Sequence, residues 1–126
     1  SALLQNPAHR GTFLPRTNYA SGASTTDVAI GDLDGDGRPD LVTANNGTLR
    51  NTGSVSVLLQ KLPRKGKLVF SRRNYPGKSG PYAVAIGDLN GDGKPDIAAA
   101  DSGTATVLFQ KPDLPGAFFP PISVGR

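Results

Sequence analysis

The sequence predicts an all-β fold built from repeated four-stranded antiparallel sheets. Three observations carry this expectation. The ten acidic residues are all Asp, with no Glu anywhere in the 126 residues; Glu suits helix interiors whereas Asp suits turns and caps, so a helical fold is disfavoured. Gly (16) and Pro (11) are frequent while the hydrophobic fraction is 37%, which marks a turn-rich globular chain and not a disordered one. Finally, the sequence matches itself at an offset of 56 residues: Val28–Asp40 falls on Val84–Asp96 with eleven of thirteen positions identical. Repeats of this order of length point to rings or arrays of small sheets.

The elements follow the repeat. Val28–Ile30 and Val84–Ile86 are short apolar runs that lead into an acidic stretch, and Leu41–Ala44 and Ile97–Ala100 leave it. Ser54–Gln60 and Thr104–Gln110 are β-branched, partly alternating segments that each end in Gln followed by Lys. Lys67–Tyr75 supplies a fourth strand, with Ala117–Val124 as its counterpart. Short strands bounded by Gly, Pro, Asn and Asp read as a meander. Pro120 and Pro121 exclude a central position for the last run, which should be an outer edge. At the N-terminus, Ala2–Gln5 resembles Val57–Gln60 and Thr12–Tyr19 resembles Val69–Tyr75, so residues 1–24 repeat only the second half of the unit. The expected division is a partial unit at 1–24, a full repeat at 25–80 that contains an extra loop at Asn46–Gly53, and a second full repeat at 81–126.

Composition also excludes several chemistries. With no Cys there are no disulfides, thiolate metal sites or cysteine nucleophile. His9 is the single histidine, so a multi-histidine metal centre is out. No apolar run approaches the roughly 20 residues that span a bilayer, so no membrane insertion is expected. The net charge of +4 hides a segregation: seven of the ten Asp lie in residues 32–40 and 88–96.

Those two stretches carry the chemistry. Each has the form D-x-[DN]-x-D-G-x-x-D, with oxygen-bearing side chains at positions 1, 3, 5 and 9 and Gly at 4 and 6. Hard cations such as Ca²⁺ take six to eight oxygen ligands. Glycine permits the tight turn that aims alternate side chains at one centre. So many carboxylates within nine residues repel one another unless a counter-ion is bound. A helix–loop–helix calcium hand does not fit, because it needs Glu at position 12, where Thr43 and Ala99 stand, and helical flanks. The first loop holds four Asp and the second three plus Asn90, so the first should bind its cation more tightly.

The run from Val28 through Asp40, and again from Val84 through Asp96, followed each time by an apolar strand, resembles the FG-GAP/VCBS repeat. This is the blade unit of integrin-α-like β-propellers and of many bacterial surface proteins. The elements that give the family its name are degenerate here, at Asn18-Tyr19-Ala20 and Gly80-Pro81-Tyr82. The resemblance implies propeller blades, two full and one partial. It also implies two Ca²⁺ sites. The first would use Asp32, Asp34, Asp36, the carbonyl of Arg38, and Asp40. The second would use Asp88, Asn90, Asp92, the carbonyl of Lys94, and Asp96. By the same resemblance the chain is a structural and interaction module of a cell surface or secreted protein, with a bacterial source expected, and not an enzyme. The alternatives are a carbohydrate- or polyanion-binding propeller and a non-catalytic portion of a larger extracellular enzyme.

Other signals are weaker. Gly77-Lys78-Ser79 lacks the earlier glycine of a phosphate-binding loop and reads as a turn. The basic run Lys61, Arg64, Lys65, Lys67, Arg72, Arg73 and Lys78 holds no acid. It fits a protected sheet edge better than a polyanion site, since too few aromatics accompany it to stack bases, and no nucleic-acid partner is expected. Two blades and a half cannot close a ring, which needs about four to eight. The open edges predict a homo-oligomer or a segment of a longer propeller, with a protein or glycan ligand that the sequence does not name.

Overall fold

The computed structural model describes residues 1–49, 52–77 and 80–125. Among them there is no helix, and eight strands make two four-stranded antiparallel sheets in which strand order follows chain order. The first sheet comprises β1 (Thr25–Gly31), β2 (Asp40–Asn45), β3 (Ser54–Arg64) and β4 (Lys67–Pro76). The second comprises β5 (Ala83–Gly87), β6 (Asp96–Ala100), β7 (Thr104–Leu108) and β8 (Ile122–Gly125). The expected meander is therefore present twice. Lys78 and Ser79, the tail of the glycine turn and one end of the basic run, lie outside the described residues, as does part of the extra loop at Asn46–Gly53.

Several elements differ in extent from the expectation: β1 begins earlier, at Thr25, and β7 stops at Leu108, short of Gln110. The last run does not form one strand from Ala117. Pro120 and Pro121 have no N–H to give a ladder, so Phe118 makes an isolated bridge to Gln110 and β8 begins only at Ile122, on the outer edge. β3 and β4 run on past Gln60 as a two-stranded ribbon that turns at Lys65 and Gly66, both with positive φ (50° and 72°), as tight hairpin turns require. That ribbon carries Lys61, Arg64, Lys65 and Lys67 into solvent, and Arg72 and Arg73 lie on the edge strand. The N-terminal pair is reduced to two antiparallel bridges, Ala2 with Thr17 and Gln5 with Phe13. It is anchored on the first sheet by Tyr19, whose ring meets Phe70 edge-on at 4.9 Å and whose hydroxyl donates to the Leu68 carbonyl at 3.2 Å.

The core lies between the sheets. Val42, Val55, Val57 and Tyr75 of the first sheet meet Ile97, Ala99 and Leu108 of the second, with Leu33 and Phe118 closing the cluster from loops. Period-two alternation decides which side chains enter: Val55, Val57 and Tyr75 share one face of their strands. Tyr75 also bonds across the interface, because its hydroxyl accepts the Phe118 N–H at 3.1 Å while the two rings sit edge-to-face at 5.8 Å. Tyr75→Phe leaves that buried N–H without an acceptor and should cost about 1–3 kcal/mol; urea unfolding followed by far-UV circular dichroism measures it, and a cost near zero would show that water replaces the hydroxyl. Along the seam where β1 runs beside β5, the Thr26 hydroxyl donates to the Tyr82 carbonyl at 3.0 Å, and Asp27 Oδ2 accepts the Val84 N–H at 3.0 Å.

The second sheet covers the first, but its own far face is open. Ala83, Ala85 and Ala100 are exposed there, with Ile122 49% and Val124 46% accessible. The same asymmetry separates the repeat partners Leu33 and Leu89, which are 1% and 52% accessible.

Candidate metal centre

Each acidic loop is the connection between two antiparallel strands, closed at its base by the pairs Gly31 with Asp40 and Gly87 with Asp96. The first residue of the loop organises the rest. Asp32 Oδ1 accepts the N–H groups of Gly35 (2.8 Å) and Asp36 (3.1 Å), and Oδ2 accepts that of Gly37 (2.8 Å). The chain winds around this carboxylate, and Gly35 and Gly37 make the winding possible at φ 76° and 81°, where a side chain would be strained. Asp34 Oδ1 then accepts the Asp36 N–H (3.2 Å), and Asp36 Oδ1 accepts the Arg38 N–H (2.8 Å).

The second loop repeats this bond for bond. Asp88 takes Gly91 (2.8 Å), Asp92 (3.2 Å) and Gly93 (2.8 Å); Asn90 takes Asp92 (3.3 Å); Asp92 takes Lys94 (2.9 Å). The backbone N–H of the position-7 residues, Arg38 and Lys94, is thus bound to the position-5 side chain in both loops.

The last Asp of each loop does something the spacing did not reveal. Asp40 and Asp96 are fully buried. Asp40 Oδ2 accepts the Leu33 N–H and Oδ1 the Gln60 N–H, both at 2.8 Å. Asp96 does the same with Leu89 and Gln110, both at 2.9 Å. Asp40 bolts its loop to Gln60 within β3, and Asp96 bolts its loop to Gln110 just past the end of β7. The signal was in the sequence: both third-strand segments end in Gln followed by Lys.

One carboxylate oxygen from each of Asp32, Asp34 and Asp40 lies within 4.8 Å of the others, and the same holds for Asp88, Asp92 and Asp96. The donors are all hard oxygens, the set that fits a hard divalent cation, so each group could hold a metal ion. Asn90 lies in the second loop as an exposed side chain. In the first loop Asp36 turns to Arg38, with Oδ2 3.4 Å from its guanidinium, and Lys61 reaches Asp34 at 3.9 Å.

The loops also differ electrostatically. Burial holds the Asp34 carboxyl above its ordinary value, helped by the neighbouring Asp40 and Asp36 carboxylates and opposed by the Asp36 N–H and Lys61. In the metal-free protein its ionisation therefore costs stability as pH rises through that raised value, and a cation removes the cost. Asp88 is held below its ordinary value, chiefly by the Gly93 N–H and then by the amides of Gly91, Asp92 and Asn90. Its contribution to stability is complete above the usual carboxylate range and is lost as pH falls through the depressed native value.

The remaining candidates stand apart from these loops. His9 is exposed in the loop of the N-terminal pair. Sequence reasoning missed a shared motif, Q-x-P-x-x-x-G-x-F, at Gln5–Phe13 and Gln110–Phe118. Both copies form the same turn: Asn6 N–H bonds Thr12 O at 2.9 Å and Lys111 N–H bonds Ala117 O at 2.8 Å. No helix is long and apolar enough to cross a membrane among the described residues.

The FG-GAP repeat family model matches residues 24–58 and 80–108, together just over half of the chain. Neither curated proteins nor solved structures gave a match. The matched segments contain both acidic loops and the strands on either side of them. FG-GAP repeats form propeller blades, and the two four-stranded sheets have that form. The chain belongs to the FG-GAP repeat family.

Proposed function

We propose that the chain is a calcium-binding propeller-repeat module with a structural and interaction role, working at a cell surface or in a secreted protein and without catalysis of its own. The observation that carries this reading is the duplicated carboxylate group: three oxygens within 4.8 Å in each of two loops with the same hydrogen bonds. Calcium is favoured over magnesium because a loop that offers many side-chain and carbonyl oxygens suits its larger, less regular shell. Asp32, Asp34 and Asp40 would hold one ion, and Asp88, Asp92 and Asp96 the other, with Asp36, Asn90 and the carbonyls of Arg38 and Lys94 as further donors. The ion would neutralise carboxylates that otherwise repel one another, and so stiffen a loop that ties two strands together. The occurrence of FG-GAP repeats in extracellular proteins, where calcium is plentiful, supports the location. Two sheets are fewer than the roughly four to eight blades of a ring, so the module would act by self-association or within a longer propeller.

Chelation tests the reading. A ligand at about 100 times its dissociation constant stabilises the native state by ~2.7 kcal/mol per site. The melting temperature in excess calcium should therefore stand several degrees above that in EDTA. Coincident melting curves, with no calcium found by metal analysis, would reject calcium binding.

A second measurement separates the loops. Asp92 belongs to the grouped oxygens of its loop, whereas Asp36 is engaged by Arg38. Asp92→Ala should weaken its site by about tenfold or more, and Asp36→Ala should weaken its own by less. Calorimetric titration of both variants decides, and equal losses would contradict the assignment.

A further inference from the structure

The 111–117 loop of the second sheet lies against the acidic loop of the first. Pro115 shares a cleft with Asp32, Asp34 and Gly35 on one side and with Gly93 and Lys94 on the other. Gly116 is buried at φ 77°, and a Cβ there would stand 2.7 Å from Leu59 Cδ1 and 3.1 Å from Asp34 Cβ. The backbone of this loop thus approaches the first acidic loop as closely as a glycine permits. Beneath it the Asp34 side chain is only 12% accessible, while the matching Asn90 is exposed.

Gln110 holds the loop in place. Its side chain accepts the Gly116 N–H at 3.1 Å and donates to the Pro95 carbonyl at 2.7 Å, and its backbone N–H is the one bound by Asp96. The comparison with Gln60 shows that the first full repeat is the exception, since the N-terminal copy at Gln5–Phe13 makes the same turn. At Gln60 β3 runs on into the ribbon, no such loop returns, and the buried Gln60 Oε1 has no partner among the described residues.

We propose that the 111–117 loop is a lid for the cation loop at 32–40, that Gly116 is the residue whose missing side chain lets it close, and that Gln110 is the positioning residue that holds it shut. The first site is then composite, built by one repeat and covered by the next. The second site has no such cover among the described residues. The inference rests on the calcium reading above, because a lid is meaningful only over an occupied loop. The cover falls on Asp34 while Asp32 stays exposed, and holding the lid closed in advance removes an ordering cost from binding.

The test is calorimetric calcium titration of the whole chain, one loop at a time. Asp88→Ala isolates the first loop and Asp32→Ala the second. Gly116→Val should weaken calcium binding about tenfold at the first loop and leave the second within about twofold. Gln110→Ala, which adds no bulk, should weaken the first loop in the same direction and decides the matter if Gly116→Val does not fold. Gly11→Val is the matched control. Gly11 occupies the same place in the N-terminal copy of the motif at φ 78°, and a Cβ there would meet nothing within 4 Å, so it carries the backbone strain without the lid. It should leave both affinities unchanged. Unchanged first-loop affinity in Gln110→Ala and in folded Gly116→Val overturns the lid while leaving calcium binding intact, as does an equal loss at both loops in folded Gly116→Val; Gln110 also bonds the Pro95 carbonyl of the second loop, so its variant is read at the first loop alone. A wild-type chain that binds no calcium overturns both readings.

Discussion

Asp40→Ala should remove about 3–6 kcal/mol of stability, because two charge-assisted bonds to buried amides are worth about 1.5–3 kcal/mol each. The carboxylate is fully buried, and the amides it serves belong to Leu33 and Gln60. Without it both N–H groups stay buried with no acceptor. A domain of this size has a total stability of roughly 5–15 kcal/mol, so the variant should unfold early in urea. The measurement belongs in EDTA. If the loss persists there, Asp40 supports the fold directly; if it vanishes, the carboxylate matters only through a bound cation and the bolt is not structural. Asp40→Asn retains one acceptor oxygen and should fall between wild type and the alanine variant.

The second large effect is a contrast between equivalent positions. Leu33→Ala empties a site that is 1% accessible and surrounded by both sheets, and should cost about 2–5 kcal/mol. Leu89→Ala trims a side chain that is 52% accessible and should cost under about 1 kcal/mol. The residue type and the motif position are the same, so the difference measures the cover that the second sheet gives the first. Parallel urea titrations at low protein concentration make the comparison. Equal costs would mean that the far face of the second sheet is also covered in solution.

The acidic loops were legible because their constraint is local. Asp at alternate positions and Gly between them fold around the first carboxylate whatever the rest of the chain does, and the repeat displayed the pattern twice. The strands were legible for a similar reason, since β-branched runs between turn residues have few other uses. What local pattern did not show was the reach of a side chain to a distant strand. Asp40 and Asp96 read as ligands of their own loops, and the spacing did not show that both of their oxygens also bind backbone amides, one of them on the third strand or just past it. The ribbon beyond Gln60 was hidden because Lys61–Arg64 carries two cations and includes Pro63, and its pairing is set by the turn at Lys65 and Gly66. The lid was hidden by distance. Gln5–Phe13 and Gln110–Phe118 share their motif across more than a hundred residues, and only the fold shows that one of them touches an acidic loop.

The seam between β1 and β5 gives the repeats a direction. Thr26 and Asp27 hold the next sheet by its Tyr82 carbonyl and Val84 amide. At the 56-residue offset their counterparts are Tyr82 and Ala83, and an alanine offers no such bond. The two copies have stayed nearly identical where each shapes its own loop and have diverged where one grips the other. A chain with the copies exchanged would keep both acidic loops but place Ala83 at the junction, without the carboxylate clasp. Succession is thus written into the sequence at a pair of residues, and the duplicated units are no longer interchangeable parts.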